Sequence, residues 1–175
     1  MRLLENRRHS VRDPVGPHLS PAGIALARSM AATVGPFDRV LSSPRPRAVE
    51  TAAAMGCTAV AERDELGPVP SELQVLIDAF HPTSFADYAA LVERNPSMAR
   101  YARGQEALWR QELEGMPDGG RMLTVSHGGV IESGAVVAAP ATARTWGAVL
   151  GYLEGIRLYL DAGHWVRAEV ARVVA

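Results

Sequence analysis

The chain has 175 residues, a formal net charge of −1, 47% hydrophobic residues and 21% charged residues. This length and composition are typical of one soluble globular domain with a full hydrophobic core, and we predict a single domain over residues 1–175. The near-neutral charge gives no general attraction to nucleic acid or to an anionic membrane. The single cysteine excludes an internal disulfide and a multi-cysteine metal site, and it favours a cytoplasmic location.

No segment of the sequence predicts export or membrane insertion. Residues 1–8 lack the apolar core of a signal peptide, and no run approaches the roughly 20 apolar residues that span a bilayer. We therefore expect a protein that neither spans nor binds a membrane.

Short apolar segments alternate with helical patterns through the first third of the chain. We predict strands over residues 2–6, 38–41 and 57–61. Helices are predicted from Ser20-Pro21 to about residue 35 and from residues 42–44 to about residue 55. A serine followed by proline is typical of a helix start, because the hydroxyl caps a free N–H and proline fits the first turn.

The middle of the chain is predicted to be helical, and its end returns to strands. After an irregular loop over residues 62–70, Ser71 and Gln74 form a capping-box pattern. The periodicity predicts helices over residues 71–80, 85–94 and 96–114, a strand over 122–125 and a helix ending near 138. Residues 146–174 are predicted to form two strands joined by a turn at 161–163.

This alternation predicts an α/β fold, a three-layer α/β/α sandwich with a mostly parallel central sheet and a final antiparallel pair. In such sheets, ligands bind outside the carboxyl ends of the strands. His9 and His127 each follow a predicted strand, so we expect both histidines at this edge.

Arginines near these positions predict an anion pocket. Arg8 precedes His9, and Arg47 lies in a segment that opens a helix, where free N–H groups attract anions. Each feature alone has a plain structural interpretation, namely a polar loop histidine or a capped helix with solvated arginines. Their combination favours a site.

Three motifs resemble those of the histidine phosphatase superfamily, the phosphoglycerate-mutase-like group. Arg8-His9-Ser10 resembles its Arg-His-Gly signature, and residues 42–52, SSPRPRAVETA, resemble its Ser-Ser-Pro-x-x-Arg-Ala-x-x-Thr-Ala motif. Residues 125–131, VSHGGVI, resemble its second-histidine motif. The motifs occur in the family order, so the resemblance covers nearly the whole chain.

The resemblance implies a role for each matched residue. His9 is expected to be the nucleophile that becomes phosphohistidine, Arg8 and Arg47 to bind the phosphate oxygens, and His127 to stabilise the transition state. Cationic donors suit this reaction, because charge spreads over the phosphoryl oxygens. The family requires no metal and no other cofactor.

The residues after His9 depart from the family motif, and the proton donor is expected in the segment after the third strand. Ser10 replaces the usual glycine, and its hydroxyl is a candidate phosphate donor, while Arg12 either adds a cation to the site or faces water. For the acid that protonates the leaving group we choose Glu65, with Asp64 and Glu62 as alternatives.

The substrate class is left open by the sequence. Residues 71–114 lie where the family places a helical lid, and the chain is short for a phosphoglycerate mutase. We predict a phosphatase acting on a small phosphoester. The alternatives are mutase-type phosphoryl transfer, removal of phosphate from a phosphohistidine protein, and a weakly catalytic phosphate-binding regulator. The apolar C-terminal strands could pair in a homodimer.

Overall fold

A computed structural model describes residues 1–173 as helices around one six-stranded sheet. The strands are β1 (Arg2–Arg8), β2 (Arg39–Ser42), β3 (Ala61–Glu62), β4 (Arg121–Ser126), β5 (Gly155–Asp161) and β6 (His164–Ala171). Their order across the sheet is β3-β2-β4-β1-β5-β6. The first four strands are parallel, whereas β5 and β6 are antiparallel to their neighbours.

Helices cover both faces of this sheet. They are α1 (Pro21–Ala31), α2 (Pro46–Ala54), α3 (Ser71–Phe80), α4 (Phe85–Arg94), α5 (Pro96–Glu114) and α6 (Val130–Ala138). Side chains alternate along β4, as a strand requires. Leu123 packs with the buried residues of α1 and α2, and Met122 packs with those of α4 to α6. The predicted three-layer α/β/α sandwich is therefore confirmed.

The element boundaries agree best where the capping residues are local. Ser20 caps α1 by accepting from Gly23 N–H at 3.0 Å, as predicted. The capping box predicted at Ser71 is wrong, because the residue before α3 is a proline and no side chain caps this helix. The observed capping box belongs to α4, where Ser84 and Asp87 bond each other's backbone N–H.

Three other boundaries differ from the prediction. Helix α2 begins at Pro46 rather than at residues 42–44, because the Ser43 hydroxyl accepts from Arg45 N–H in a turn before the helix. β3 is only two residues long and lies at the end of the predicted segment. Residues 146–154 form a loop, and β5 begins after them. The last residue of the predicted second strand, Val174, lies outside the described residues.

The segment expected to be a lid is only partly one. Helix α5 packs along α6 in the helical layer, where Trp109 is buried against Gly134. Of residues 71–114, only Gln74, Pro82 and Tyr88 line the cavity that contains the two histidines. Within residues 1–173, no helix is both long and apolar enough to cross a membrane.

Candidate active site

The carboxyl ends of neighbouring parallel strands bring four of the predicted residues together. β1 ends at Arg8 and β4 ends at Ser126, and these two residues are register partners. His9 and His127 come next in the chain, and their ring centroids are 5.1 Å apart. β2 lies on the other side of β4 and leads into α2, which carries Arg47. The sheet thus places both histidines and Arg47 at one edge.

Hydrogen bonds fix which nitrogen of His9 carries its proton. Its Nδ1 lies 2.8 Å from the Ser10 carbonyl oxygen. A carbonyl oxygen can only accept, so Nδ1 carries the hydrogen and Nε2 keeps its lone pair. Arg47 Nε donates to this Nε2 at 3.1 Å. His9 is therefore oriented as a neutral imidazole with one nucleophilic nitrogen on the side of Arg47.

The same arginine also orients His127. Arg47 Nη2 donates to His127 Nδ1 at 3.3 Å, so the ring hydrogen lies on Nε2. This Nε2 donates to the Ser43 hydroxyl at 2.8 Å. One guanidinium thus bridges the two rings, and a serine of the second motif holds His127 from the opposite side.

Both histidines are kept uncharged by their surroundings. Burial, with repulsion from Arg47, Arg8 and Arg12, lowers the pKa of His9 to about 4. Burial, with repulsion from Arg47 and from His9 when that ring is protonated, lowers the pKa of His127 to about 3. Burial and the neighbouring arginines, Arg12 first among them, also lower the pKa of Arg47. At neutral pH the two rings are neutral and the positive charge resides on arginines.

These residues line a cavity of about 420 Å³. Arg8 forms part of its wall, donating to the Leu150 carbonyl and lying 4.8 Å from the ring centroid of Tyr152. The Tyr152 ring is 5.8 Å from that of His9. A Cβ atom on Gly128 would lie 3.4 Å from the Arg8 guanidinium carbon, so glycine lets Arg8 pass close to the backbone.

Ser10 does not contribute a hydroxyl to this cavity. Its side chain is fully buried, and its Oγ donates to the Gly23 carbonyl at 2.8 Å, while its own N–H donates to the Thr51 hydroxyl. The prediction that Ser10 binds phosphate through its hydroxyl therefore disagrees with the structure. The serine instead ties the first motif to α1.

Glu65 is not brought into the cavity either. It lies in a short 3-10 turn over Asp64–Leu66, where its carbonyl accepts from Gln105 of α5. Its side chain is exposed and lines a separate depression beside α5. Asp64 lies in that same depression, and neither it nor Glu62 lines the cavity of the histidines. After β3 the chain leads away from the cavity of the two histidines, so the predicted acid lies outside that cavity.

Glu132 is the carboxyl side chain that the sequence analysis missed. Of the described residues that line the cavity, it alone carries a carboxyl group. It is 1% exposed, and its two oxygens accept from Gly129 N–H at 2.7 Å and Leu150 N–H at 2.9 Å. Burial raises its pKa. The sequence signal was an acid three residues after Gly129, at the start of an otherwise apolar helix.

The carboxyl group of Glu132 organises the cavity wall. The Leu150 peptide is held at both ends, because Glu132 accepts from its N–H and Arg8 donates to its carbonyl. This fixes the loop that carries Tyr152, which was predicted as strand. Among residues 1–173, no group of three or more His, Cys, Asp or Glu residues could hold a metal ion.

No protein-family model and no curated protein matches the chain. Solved structures do share its fold. Phosphoserine phosphatase from Entamoeba histolytica is 19% identical with a TM-score of 0.74, covering 99% of this chain and 98% of that chain. Mycobacterial glucosyl-3-phosphoglycerate phosphatase is 21% identical with a TM-score of 0.68, covering 100% of both chains. Phosphoglycerate mutase from Bacillus anthracis is 15% identical with a TM-score of 0.63, covering 98% and 92%.

At these identities the property that is shared is the fold. The alignments run over nearly the full length of the chain and of each neighbour, so they include the sheet and both helical layers. The chain therefore has the phosphoglycerate-mutase-like fold of these neighbours.

Proposed function

We propose that this protein is a phosphatase that hydrolyses phosphomonoesters through a phosphohistidine on His9. The observation that carries the proposal is the bridge formed by Arg47 between two neutral histidines. A nucleophilic imidazole nitrogen, a second imidazole and several guanidinium groups line one cavity. This is the donor set that phosphoryl transfer needs, since its transition state carries negative charge on the phosphoryl oxygens.

The reaction has two steps. His9 Nε2 attacks phosphorus, the bond from phosphorus to the ester oxygen breaks, and the leaving oxygen takes a proton. Water then attacks the phosphohistidine, the phosphorus–nitrogen bond breaks, the proton of the attacking water passes to solvent, and His9 is again a neutral imidazole. Arg47 donates to the attacking nitrogen, so the phosphoryl group takes over this donor as it approaches the ring. Arg8, which lines the same cavity, donates to the phosphoryl oxygens, and His127 holds Arg47 in place by accepting from its guanidinium.

The leaving group receives its proton from water in this scheme. Glu65 lies outside the cavity, and Glu132 uses both oxygens to accept backbone N–H groups. Without a carboxylic acid aimed at the ester oxygen, turnover depends on how readily the leaving group departs. Aryl phosphates, whose phenolate leaves easily, are therefore the probe of choice.

Removal of a phosphoryl group from a histidine side chain is a second candidate function. It is favoured by the lack of a carboxylic acid aimed at the leaving group. A phosphorylated imidazole that is protonated on its other nitrogen leaves as neutral imidazole, so it needs no proton from the enzyme. A site without an acid at the leaving group suits this substrate. The phosphoryl group then passes from the histidine of the substrate to His9.

The decisive test compares the parent protein with His9→Ala. We expect the parent to hydrolyse 4-nitrophenyl phosphate in the presence of a chelator and to form an acid-labile phosphohistidine during turnover. His9→Ala should lower kcat by about 10³-fold or more and abolish the labelled intermediate, because the covalent route is lost. His164→Ala, at an exposed histidine of β6, is the matched control and should retain parent activity.

The outcomes separate the candidate functions. A His9→Ala protein as active as the parent contradicts the nucleophile assignment. Phosphate binding by the parent without turnover or a labelled intermediate indicates a binding protein. Faster turnover of a phosphohistidine peptide than of the aryl phosphate indicates the second candidate. Isomerisation of a phosphorylated diol that outruns phosphate release indicates a mutase.

A further inference from the structure

Strand β6 forms a long edge of the sheet on which no further strand is paired. It runs over His164–Ala171 and is last in the strand order, with β5 as its neighbour. Among residues 1–173, no backbone hydrogen bond joins β6 to a segment other than β5. The opposite edge, β3, is only two residues long. Because a long edge presents a row of free N–H and C=O groups, β6 is a template for pairing with another strand.

The sequence of β6 has few of the features that protect an edge strand. Natural edges are blocked by lysine, by proline, by bulges or by a covering segment. The sequence of β6, HWVRAEVA, contains neither lysine nor proline. It has one bulge, at Val166, an apolar residue that is 56% exposed. Residues 167–171 therefore remain as a regular edge that can accept a strand.

The order of side chains along β6 is complementary to itself. Two copies related by a two-fold axis perpendicular to the sheet pair antiparallel, and each residue then faces one that points to the same side of the sheet. With the axis at Ala168, Arg167 faces Glu169 of the second copy and Val166 faces Val170 of the second copy, and both contacts occur twice. With the axis at Arg167 or Glu169, that residue would face its own copy, and the like charges would repel.

Arg167 and Glu169 lie at the outer end of an ion-pair network that already crosses the sheet. Glu5 of β1 accepts from Arg157 of β5, and Arg157 lies 3.5 Å from Glu169. Glu169 in turn pairs with Arg167, whose side chain is 63% exposed. A second copy with its axis at Ala168 would add Glu169 beside Arg167, so the alternation of charges would continue across the edge.

We propose that β6 is the docking surface for a second copy of this chain, with the two-fold axis at Ala168, so that two six-stranded sheets join into one. This gives a specific interface to the homodimer expected from the apolar C-terminal strands. The regular part of the edge is short, so the dimer is in equilibrium with the monomer. Of the residues of β6, none lines the cavity of the two histidines. The inference is therefore independent of the proposed phosphatase activity.

Sedimentation velocity over a range of protein concentrations tests the assembly. We expect the parent protein to shift reversibly from monomer to dimer as its concentration rises. Hydrogen exchange then locates the interface. The amide hydrogens of β6 that point away from β5 should exchange more slowly in the dimer than in the monomer, because pairing closes the free edge. Exchange in α1 should not depend on protein concentration.

Charge reversal tests the register of the interface. Arg167→Glu places two glutamates opposite each other at both contacts, and Glu169→Arg places two arginines there. Each variant alone should raise the dissociation constant of the dimer by about tenfold or more. A mixture of the two variants restores opposite charges at both contacts, so it should form a heterodimer about as tight as the parent dimer. Arg28→Glu, on the exposed side of α1, makes the same change in net charge as Arg167→Glu and should leave the dissociation constant unchanged.

Two outcomes overturn the inference. A parent protein that stays monomeric at every concentration has no such interface. A dimer that neither charge reversal weakens, or whose two variants do not combine in the mixture, uses another surface or another register. Circular dichroism shows whether each variant is folded, and if Glu169→Arg fails to fold, the exposed Arg167→Glu and the hydrogen exchange of β6 decide the matter. The result for His9→Ala tests the phosphatase separately.

Discussion

The hydroxyl of Ser10 lies one residue from the proposed nucleophile, yet it points away from the cavity. The hydroxyl donates to the carbonyl oxygen of Gly23. Position 23 admits no side chain, since a Cβ atom on Gly23 would lie 2.0 Å from the Val11 carbonyl oxygen. Ser10 therefore joins the loop that carries His9 to α1. Its contribution is to stability and to the position of the histidine.

The variant Ser10→Ala should separate a phosphate-binding role from this structural one. We expect the free energy of unfolding to fall by about 1–2 kcal/mol, because the buried Gly23 carbonyl loses its donor. KM for 4-nitrophenyl phosphate and inhibition by inorganic phosphate should change less than twofold. Urea unfolding and steady-state kinetics measure both effects.

Ser29→Ala is the matched control for Ser10→Ala, since its hydroxyl makes the same kind of bond on the exposed side of α1, to Leu26. Its unfolding free energy should change by about 0.5 kcal/mol or less. A tenfold higher KM for Ser10→Ala without any loss of stability would show that the hydroxyl binds phosphate after all.

At the scale of single residues, the sequence predicted the positions of those site residues that lie at strand ends. His9 and His127 were predicted at the same edge of the sheet because each follows a strand, and the structure shows that those strands are neighbours in register. Glu65 depends on the path of an irregular segment, which periodicity does not describe. Glu132 lies in the first turn of an apolar helix, where an acid is commonly interpreted as a helix cap, and its side chain does cap the helix by accepting from Gly129 N–H.

Among the elements, α5 and α6 make a close contact. This contact explains why α5, which was predicted to be part of a lid, belongs to the core. A Cβ atom on Gly134 would lie between 2.3 and 2.9 Å from three atoms of the Trp109 ring. Both residues are buried, and Trp109 is only 1% exposed. The glycine thus admits the indole, and α6, which follows directly after His127, is held in place by it.

Gly134→Ala should therefore destabilise the protein although alanine is the better helix former. The added methyl group displaces the indole, and overpacking of this kind costs about 1–3 kcal/mol. Gly104→Ala is the control in the middle of α5, with open space around its Cβ position. It should stabilise the protein by about 0.5–1 kcal/mol. Thermal and urea unfolding of both variants measure the difference. Stabilisation by Gly134→Ala together with destabilisation by Gly104→Ala would contradict the packing account.

The helices show that local sequence determines where a helix begins and ends but not where it packs. The bounds of α4 and α5 were predicted to the residue, because proline, asparagine and serine mark their starts. Their place in the layer against α6 was not predicted, since the burial of Trp109 depends on a glycine 25 positions later. The loop before β5 was predicted as strand because its residues are apolar. In the structure Val149 and Tyr152 line the cavity, and Leu150 and Leu153 are buried in the core.

Over the whole molecule, the topology was predictable and the distribution of charge was not. Alternating strands and helices predict the parallel sheet and its ligand-binding edge. A net charge of −1 conceals a cavity with three arginines and two buried histidines. Polar residues on β1 were also unexpected in a buried strand. Arg7 is 2% exposed and pairs with Glu5, which also binds Arg157 of β5.

The two buried histidines make the stability of the whole protein depend on pH. Folding lowers the pKa of His9 from its ordinary value of 6.5 to about 4 and that of His127 to about 3. The unfolded chain therefore binds more protons than the folded protein between about pH 6.5 and pH 4. By linkage, stability rises with pH across this window and is lost on acidification. Glu132 acts in the opposite direction, because burial raises its pKa.

We accordingly expect the unfolding free energy of the parent to fall between pH 7 and pH 5 by about 2 kcal/mol for each histidine. The double variant His9→Asn and His127→Asn should show a shallower fall, since Asn does not titrate and the contribution of Glu132 is common to both proteins. His164→Asn, at an exposed site, should follow the parent. Urea unfolding at pH 5, 6 and 7 provides the three curves. Parallel curves for the parent and the double variant would mean that the rings are charged in the folded protein, and the neutral nucleophile on which the proposed reaction depends would be lost with them.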